Sequence, residues 1–189
     1  MAMSRWRIKG SVAKLTKRLN WASLALIGVL AFTVGCSAVH EKSGNLGYEP
    51  QVRDGRKVEQ EIGSLSSEVL EAFHVKGKVT EPGPAAGRCD VDGEDAEKYR
   101  NVRHPWSLHG LGNDVLGKGM DNLVERLPGK GWKIVERGHD SSRNKNQRIL
   151  AVHLKTHTQA EVTWMKGLDG HEPLIEVAVY SRCFRDSRD

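Results

Sequence analysis

The stretch Arg148–Met165, which reads RILAVHLKTHTQAEVTWM, decides the fold of this chain. Apolar side chains recur at every second residue in both of its halves, and this period is typical of a β-strand with one buried face. The apolar positions of the first half are Leu150, Val152 and Leu154, and those of the second half are Ala160, Val162 and Trp164. The stretch therefore predicts a β-hairpin of strands Arg148–Thr156 and Gln159–Met165, joined near His157 and Thr158.

Three further segments have the character of strands. Pro173–Ser181 alternates in the same way as the hairpin. Its apolar positions are Ile175, Val177 and Val179. Trp132–Arg137 and Tyr99–Leu108 are also strand-like, although Pro105 lacks a backbone N–H and predicts an edge or bulged position for the latter. One apolar and one mostly polar face per strand predicts an antiparallel sheet that is covered on one side.

Two amphipathic helices are expected to cover that side. The first spans Lys57–His74, because its apolar residues recur at steps of three and four. These residues are Val58, Ile62, Leu65, Val69 and Phe73. The second spans Asn113–Leu127, with Asn113 as its N-cap and Pro128 ending it. The predicted fold class is therefore α+β, a two-layer sandwich with two helices packed on one face of a four- or five-stranded, mostly antiparallel sheet.

Residues 1–35 have the pattern of a secretory signal. Their six charged side chains are all basic, and the first acidic residue of the chain is Glu41. The six are Arg5, Arg7, Lys9, Lys14, Lys17 and Arg18. An uncharged run, Ala22–Val34, follows them. A basic segment before an apolar run of roughly 7–15 residues is typical of a signal peptide, and such a run is short for a membrane-spanning helix.

The leader ends with Thr33-Val34-Gly35-Cys36. This tetrapeptide resembles the lipobox of bacterial lipoprotein precursors, in which small residues precede a cysteine, although Thr33 stands where leucine is commonest. The resemblance implies that residues 1–35 are a lipoprotein signal peptide and that Cys36 carries the lipid. It also implies a protein lipid-anchored on the extracytoplasmic face of the cell membrane. The alternative is an ordinary signal peptide followed by an incidental cysteine.

The remainder divides into a tether and one domain. Residues 36–56 have scattered glycine, proline and charge with little apolar periodicity, which is typical of a flexible tether. Docking of this segment through Leu46 and Tyr48 is the alternative. Residues 57–189 are long enough for a single α+β extracytoplasmic domain with one core. Within that domain, Val75–Asp92 is rich in proline and glycine, which predicts an irregular connection.

The charge of the chain does not indicate nucleic-acid binding. The full sequence has 29 basic and 24 acidic residues. Removing the six basic residues of the leader leaves 23 basic residues against 24 acidic ones, a formal charge of −1. The basic excess therefore belongs to targeting, and we expect no nucleic-acid partner.

The cysteines indicate one structural bridge. With Cys36 assigned to the lipid, Cys89 and Cys183 remain of the three cysteines. Two thiols in an oxidising compartment most simply form a disulfide, and neither lies in a C-x-x-C motif. Closing a loop of roughly 100 residues stabilises the fold by about 4–5 kcal/mol in the chain-entropy model. A reactive cysteine is the alternative.

Three motifs suggest chemistry, but each lacks a required residue. Gly112–Gly119 matches G-x-x-x-x-G-K, yet Gly119 replaces the Ser or Thr that would hold magnesium, so we interpret it as a glycine-rich helix start. His153 and His157 are four residues apart without the glutamate of H-E-x-x-H. The acidic run Asp90–Asp95 lacks the spacing of a calcium loop. We expect no metal, cofactor or catalytic set, and we place Trp106, Trp132 and Trp164 mainly in the core.

The overall pattern resembles the small cell-envelope lipoproteins of actinobacteria. The matching residues are Gly35-Cys36, Cys89 and Ser181-Arg182-Cys183. Because an export and anchor signal accompanies no catalytic set, we favour a membrane-anchored, non-enzymatic binding or protein-interaction module of the envelope. Its partner would be an envelope protein or a small ligand. The alternative is a small envelope enzyme or wall-fragment-binding protein with a site near His104, Trp106 and His109.

Overall fold

A computed structural model describes residues 46–80, 82–91 and 96–188. Within these ranges the chain forms two α-helices and nine β-strands. The helices are α1 (Gly55–Phe73) and α2 (Asn113–Arg126). The strands are β1 (Val52–Arg53), β2 (Lys78–Val79), β3 (Ala85–Arg88), β4 (Tyr99–His109), β5 (Trp132–His139), β6 (Gln147–His153), β7 (Gln159–Met165), β8 (Leu174–Tyr180) and β9 (Phe184–Asp186). The expected signal peptide, Cys36 and the first part of the expected tether lie outside the described residues.

The strands form one mixed sheet around β4, which has neighbours on both sides. β8 and β9 pair with β4, as do β2 and β3, while β7, β6 and β5 extend the sheet outward from β8. Among the described strands, every pairing is antiparallel except that of β1 with β9. The α+β class is confirmed. The prediction of four or five strands is wrong, because the described sheet has nine. The sheet is mostly antiparallel, as predicted, with one parallel pair.

Short strands account for the difference in strand number. β2 has two residues and β3 has four, and both lie in Val75–Asp92, which the sequence predicts to be an irregular connection. None of their side chains is buried. Elements this short and this exposed have no apolar alternation to detect, so their pairing with β4 depends on tertiary contacts.

The helices cover one face of the sheet, as the sandwich prediction requires. The predicted apolar stripe of α1 is buried along its whole length. The sheet contributes alternate residues to the same core: Val102, Trp106, Leu108, Ile149, Ala151, Ala160, Val162, Ile175, Val177 and Val179. In the described part of the chain, neither helix is long and apolar enough to span a membrane.

Pro105 does not place its strand at the sheet edge. Ser107 donates its backbone N–H to the Thr80 hydroxyl and accepts one from the Thr80 N–H through its carbonyl. Odd-numbered residues of β4 therefore direct their backbone groups toward β2 and β3. Pro105 shares that direction, and it lies opposite the interval between those two strands. The proline is accommodated because the neighbouring strand is interrupted there.

The hairpin forms as predicted, but the buried side of β6 is the other one. Ile149 and Ala151 pair with Val162 and Ala160 and are buried beneath the helices. The predicted residues Leu150 and Val152 are half-buried on the opposite face, and Leu154 is 60% exposed. Because strand side chains alternate, a shift of one residue exchanges the two faces. Apolar residues occupy nearly every position here, so the pattern alone does not fix the register.

Asn113 is not the N-cap of α2. Gly112 takes that position and offers no side-chain acceptor. The Asn113 amide instead donates to the Lys166 carbonyl at 3.1 Å and accepts from the Trp164 indole N–H at 3.2 Å. Asn113 therefore ties the start of α2 to the end of β7. At its other end, α2 continues as a 3-10 turn that contains Pro128.

The domain begins before the expected boundary at residue 57. The Tyr48 hydroxyl accepts a hydrogen bond of 2.8 Å from the Cys183 backbone N–H, and the Arg182 guanidinium lies 4.4 Å from the centre of the Tyr48 ring. β1 pairs with β9. Residues 48–56 fall within the expected tether, but in the structure they are part of the domain because of these tertiary contacts. The sequence does not reveal the contacts, since the segment has no apolar periodicity.

The start of α1 is held by both ends of the domain. The Asp54 carboxylate caps the helix by accepting from the Arg56 N–H at 2.9 Å. The Asp186 carboxylate accepts from the Gly55 N–H at 3.3 Å and from Arg188. These hydrogen bonds hold the pKa of Asp186 well below its usual range, mainly through Arg188. The Gly55 N–H, which has no partner within the helix, is thus hydrogen-bonded by a residue 131 positions away.

Candidate ligand-binding site

Cys89 and Cys183 form the predicted disulfide. Their Cα atoms are 5.9 Å apart, although 94 positions separate them in the sequence. The bridge joins the end of β3 to the segment just before β9. It therefore links the connection that follows α1 to the end of the last long strand. The expected lipid-bearing residue, Cys36, lies outside the described residues.

A cavity of about 310 Å³ opens beside β4. His104 and Trp106 of β4 lie at the interval between β2 and β3, so this part of β4 pairs with β8 on one side and with neither β2 nor β3 on the other. α1 forms the facing wall. The lining residues are Ser66, Ser67, Leu70, Val79, Thr80, Gly83, His104 and Trp106. The interruption that accommodates Pro105 thus also makes room for the cavity.

Trp106 forms the floor of the cavity and is fixed from two directions. Its indole N–H donates to the Ser66 hydroxyl at 2.7 Å. Its ring meets Phe73 edge to face, with the ring centres 6.2 Å apart. Only 5% of Trp106 is exposed. The indole is therefore a rigid part of the core, as predicted, and it contributes a small exposed surface to the cavity.

The cavity wall combines apolar surface with hydroxyl groups. Leu70, Val79 and Trp106 supply the apolar surface. The Thr80 hydroxyl accepts from the Ser107 N–H at 2.9 Å, and the Ser67 hydroxyl donates to the Gly63 carbonyl at 3.0 Å. None of the lining residues in the described part of the chain is acidic, and none is Lys or Arg. This wall suits a small neutral ligand with an apolar portion.

The structure separates the three residues of the expected site. His104 and Trp106 both line the cavity. His109 differs from Trp106 by an odd number of positions along a regular strand, so it lies on the opposite face of the sheet. It pairs with Leu174 and Lys78 rather than with the cavity wall. The expected cluster is therefore wrong for His109.

One feature of the sequence indicates the wall of the cavity that α1 forms, which the expected site did not include. Ser66 follows Ile62 by four residues and precedes Val69 by three, which places a polar side chain inside the apolar stripe of α1. It is only 2% exposed. A buried hydroxyl in such a stripe needs a hydrogen-bond partner, and Trp106 supplies it. The sequence does not indicate the remaining wall in this way. Val79, Thr80 and Gly83 lie in or between β2 and β3, which are too short to show a periodicity.

The remaining motifs do not form sites among the described residues. Gly112–Gly119 is the N-cap and first turns of α2, which confirms its interpretation as a helix start. The His153 ring is tilted against the Trp132 ring, with centres 5.3 Å apart, and it hydrogen-bonds to Thr156, whereas His157 lies exposed in the following turn. In the ranges that the structure describes, no group of three His, Cys, Asp or Glu side chains has a metal-binding arrangement. Much of the acidic run Asp90–Asp95 lies outside those ranges.

Two further side chains with shifted pKa values lie away from the cavity. Desolvation by burial, together with the nearby Glu161, raises the pKa of the Tyr180 hydroxyl above its usual value. A hydrogen bond from the Ser142 hydroxyl, 2.6 Å long, lowers the pKa of Asp140. The first group lies on the open face of the sheet and the second in the loop between β5 and β6. Neither shift bears on the cavity.

Comparison with known proteins gives no relative from which a role could be transferred. No protein-family model, curated protein or solved structure matches the chain.

Proposed function

We propose that this chain is an exported, lipid-anchored protein of the cell envelope, whose domain binds a small ligand without chemically changing it. Two features support the address. The sequence has a basic, apolar leader that ends in a lipobox-like Gly35-Cys36. The structure contains the Cys89–Cys183 disulfide, and such bridges persist in oxidising compartments.

The cavity beside Trp106 is the observation that carries the binding role. At about 310 Å³ it lies at the lower end of the size range of small-molecule sites. Its wall is held by the Trp106–Ser66 hydrogen bond and by the edge-to-face contact with Phe73. A preformed cavity favours binding, because little conformational freedom is lost when the ligand enters.

Binding is favoured over catalysis because the described wall contains no acid–base pair. His104 is the one titratable side chain among the lining residues of the described chain. General acid–base chemistry requires a second group positioned within hydrogen-bond reach of the reacting atoms. A wall fragment that binds in the cavity is therefore expected to be released uncleaved.

Displacement of a fluorescent dye tests this role. N-Phenyl-1-naphthylamine is a neutral dye with an apolar ring system that suits the cavity, and soluble wall fragments serve as competitors. Ser67→Phe places a ring at the cavity wall and should reduce dye binding about tenfold or more.

Ser64→Phe is the matched control. Ser64 is exposed on the same helix, and its hydroxyl donates to a carbonyl four residues earlier, as that of Ser67 does, but it does not line the cavity. Equal dye binding by both variants would contradict the proposed site. Cleavage of a wall fragment during the assay would contradict the non-enzymatic role.

A further inference from the structure

A second cavity, of about 380 Å³, lies where the N-terminal segment joins the domain. We call it the cationic basin. Its walls come from the segment around Tyr48, the β6–β7 turn at Lys155 and His157, and the β8–β9 connection at Arg182. It exists because β8 breaks before β9 and β1 replaces β7 as the neighbour beyond that break.

Positive charge predominates in the cationic basin. Arg53 and Glu61 compensate each other through an ion pair of 3.1 Å. Lys155 and Arg182 are exposed and form no ion pair with any acidic group that the structure describes. Glu49 is the remaining acidic side chain of the lining. The walls therefore carry a net positive charge of one.

Arg182 is arranged to bind an oxyanion. Its guanidinium carbon lies over the Tyr48 ring, 4.4 Å from the ring centre. A guanidinium can contact an aromatic ring and still offer N–H donors for bidentate contacts with a phosphate. Lys155 provides a second, flexible positive charge from another wall.

The position of the basin along the chain indicates where that oxyanion comes from. Tyr48 is fixed to the basin by the Cys183 N–H, 2.8 Å from its hydroxyl. Leu46, the first described residue, follows Cys36 by ten positions. Ten residues span at most about 35 Å. Two more residues lead to Tyr48, so if Cys36 carries a lipid the basin lies within about 43 Å of the membrane surface and can reach it.

We propose that the cationic basin binds the phosphate of an anionic lipid headgroup in the membrane that holds the chain. This inference rests on the proposed anchoring at Cys36. Arg182 and Lys155 contact the phosphate, and the second attachment fixes the orientation of the domain on the membrane. Anionic membrane surfaces attract each nearby Lys or Arg, so both cations contribute.

Native mass spectrometry of the full mature protein, extracted in a neutral detergent, tests the proposal. Phosphatidylglycerol, phosphatidylcholine and inorganic phosphate are added in separate arms. We expect one retained phosphatidylglycerol, with weaker retention of the other two. Lys155→Gln combined with Arg182→Gln should weaken phosphatidylglycerol binding about tenfold to thirtyfold.

The matched control combines Lys118→Gln with Lys133→Gln, two exposed lysines that do not line the basin. Unfolding midpoints close to that of the parent chain exclude a folding defect in either double variant. Equal losses in the two double variants, or inorganic phosphate binding without phosphatidylglycerol binding, would overturn the proposal. Phosphatidylglycerol retention by a protein that lacks lipid at Cys36 would support the basin while contradicting the proposed anchor.

Discussion

The indole nitrogen of Trp106 donates a hydrogen bond of 2.7 Å to the hydroxyl of Ser66, which joins β4 to α1 at the floor of the cavity. Both residues are almost fully buried. The contact therefore does two things at once. It satisfies an indole N–H that water cannot reach, and it fixes the distance between the two walls of the proposed ligand site.

Ser66→Ala should destabilise the domain by about 1–3 kcal/mol, because the buried Trp106 N–H loses its acceptor. Urea unfolding followed by circular dichroism measures the change in the free energy of unfolding. Ser67→Ala is the control, since Ser67 is exposed and its hydroxyl bonds within its own helix. Equal losses in the free energy of unfolding for the two substitutions would contradict a stabilising role of the Trp106–Ser66 hydrogen bond.

Replacing both bridge cysteines, Cys89→Ser with Cys183→Ser, should lower the free energy of unfolding by about 2–5 kcal/mol. The bridge closes a long loop, and its loss gives the unfolded chain more conformational freedom. Urea unfolding with and without a reductant checks this. The reductant should destabilise the parent chain and leave the double variant unchanged, and an unaffected parent chain would contradict the prediction.

Asp186→Asn should weaken the dependence of stability on acid pH. The pKa of Asp186 is lower in the folded domain than the value of about 3.9 typical of an unfolded chain, so the folded state favours the ionised form. Its contribution to stability is therefore complete above the unfolded pKa and is lost as the pH falls toward the folded pKa.

Urea midpoints at about pH 7 and pH 3 measure this dependence, and the difference between them should be smaller for Asp186→Asn than for the parent chain. Arg188→Gln removes the main partner of Asp186 and should change the difference in the same direction. A difference unchanged in both variants would count against the proposed role of Asp186 at the start of α1.

Gly63→Ala should stabilise α1 by about 0.5–1 kcal/mol, because alanine is the better helix former. A Cβ atom at this position meets Pro84 at an ordinary 3.6 Å. Gly77→Ala should have the opposite sign, since its Cβ would lie 2.9 Å from the backbone oxygen of His109. Thermal unfolding of the two variants provides the comparison, and a stabilised Gly77→Ala would contradict the packing around β2.

The helices and long strands could be predicted because their periodicity survives in the sequence. The predicted Lys57–His74 agrees with α1 to within two residues, and Gln159–Met165 agrees with β7 at both ends. The short strands could not be predicted in this way, because two to four exposed residues carry no pattern. β6 was predicted as a strand, but its buried face was wrong for the opposite reason. Its residues are almost all apolar, so the pattern does not distinguish the two faces.

The candidate site was predictable only in part. The predicted strand Tyr99–Leu108 places His104 and Trp106 on one face, but it ends before His109, and only the one-residue longer β4 places His109 on the other face. The opposing wall depends on where β2 and β3 stop, which tertiary pairing decides. The cationic basin joins segments far apart in the sequence, and only the fold brings Tyr48 to Arg182.

The central claim is that the domain is exported and anchored through Cys36. Mass spectrometry of the protein extracted from native membranes tests it most directly, because one sample reports the N-terminal residue, any attached lipid and the cysteine linkage. We predict a chain that begins at a lipid-bearing Cys36 and contains the Cys89–Cys183 disulfide. A chain that retains residues 1–35, or an unmodified Cys36, would contradict the account.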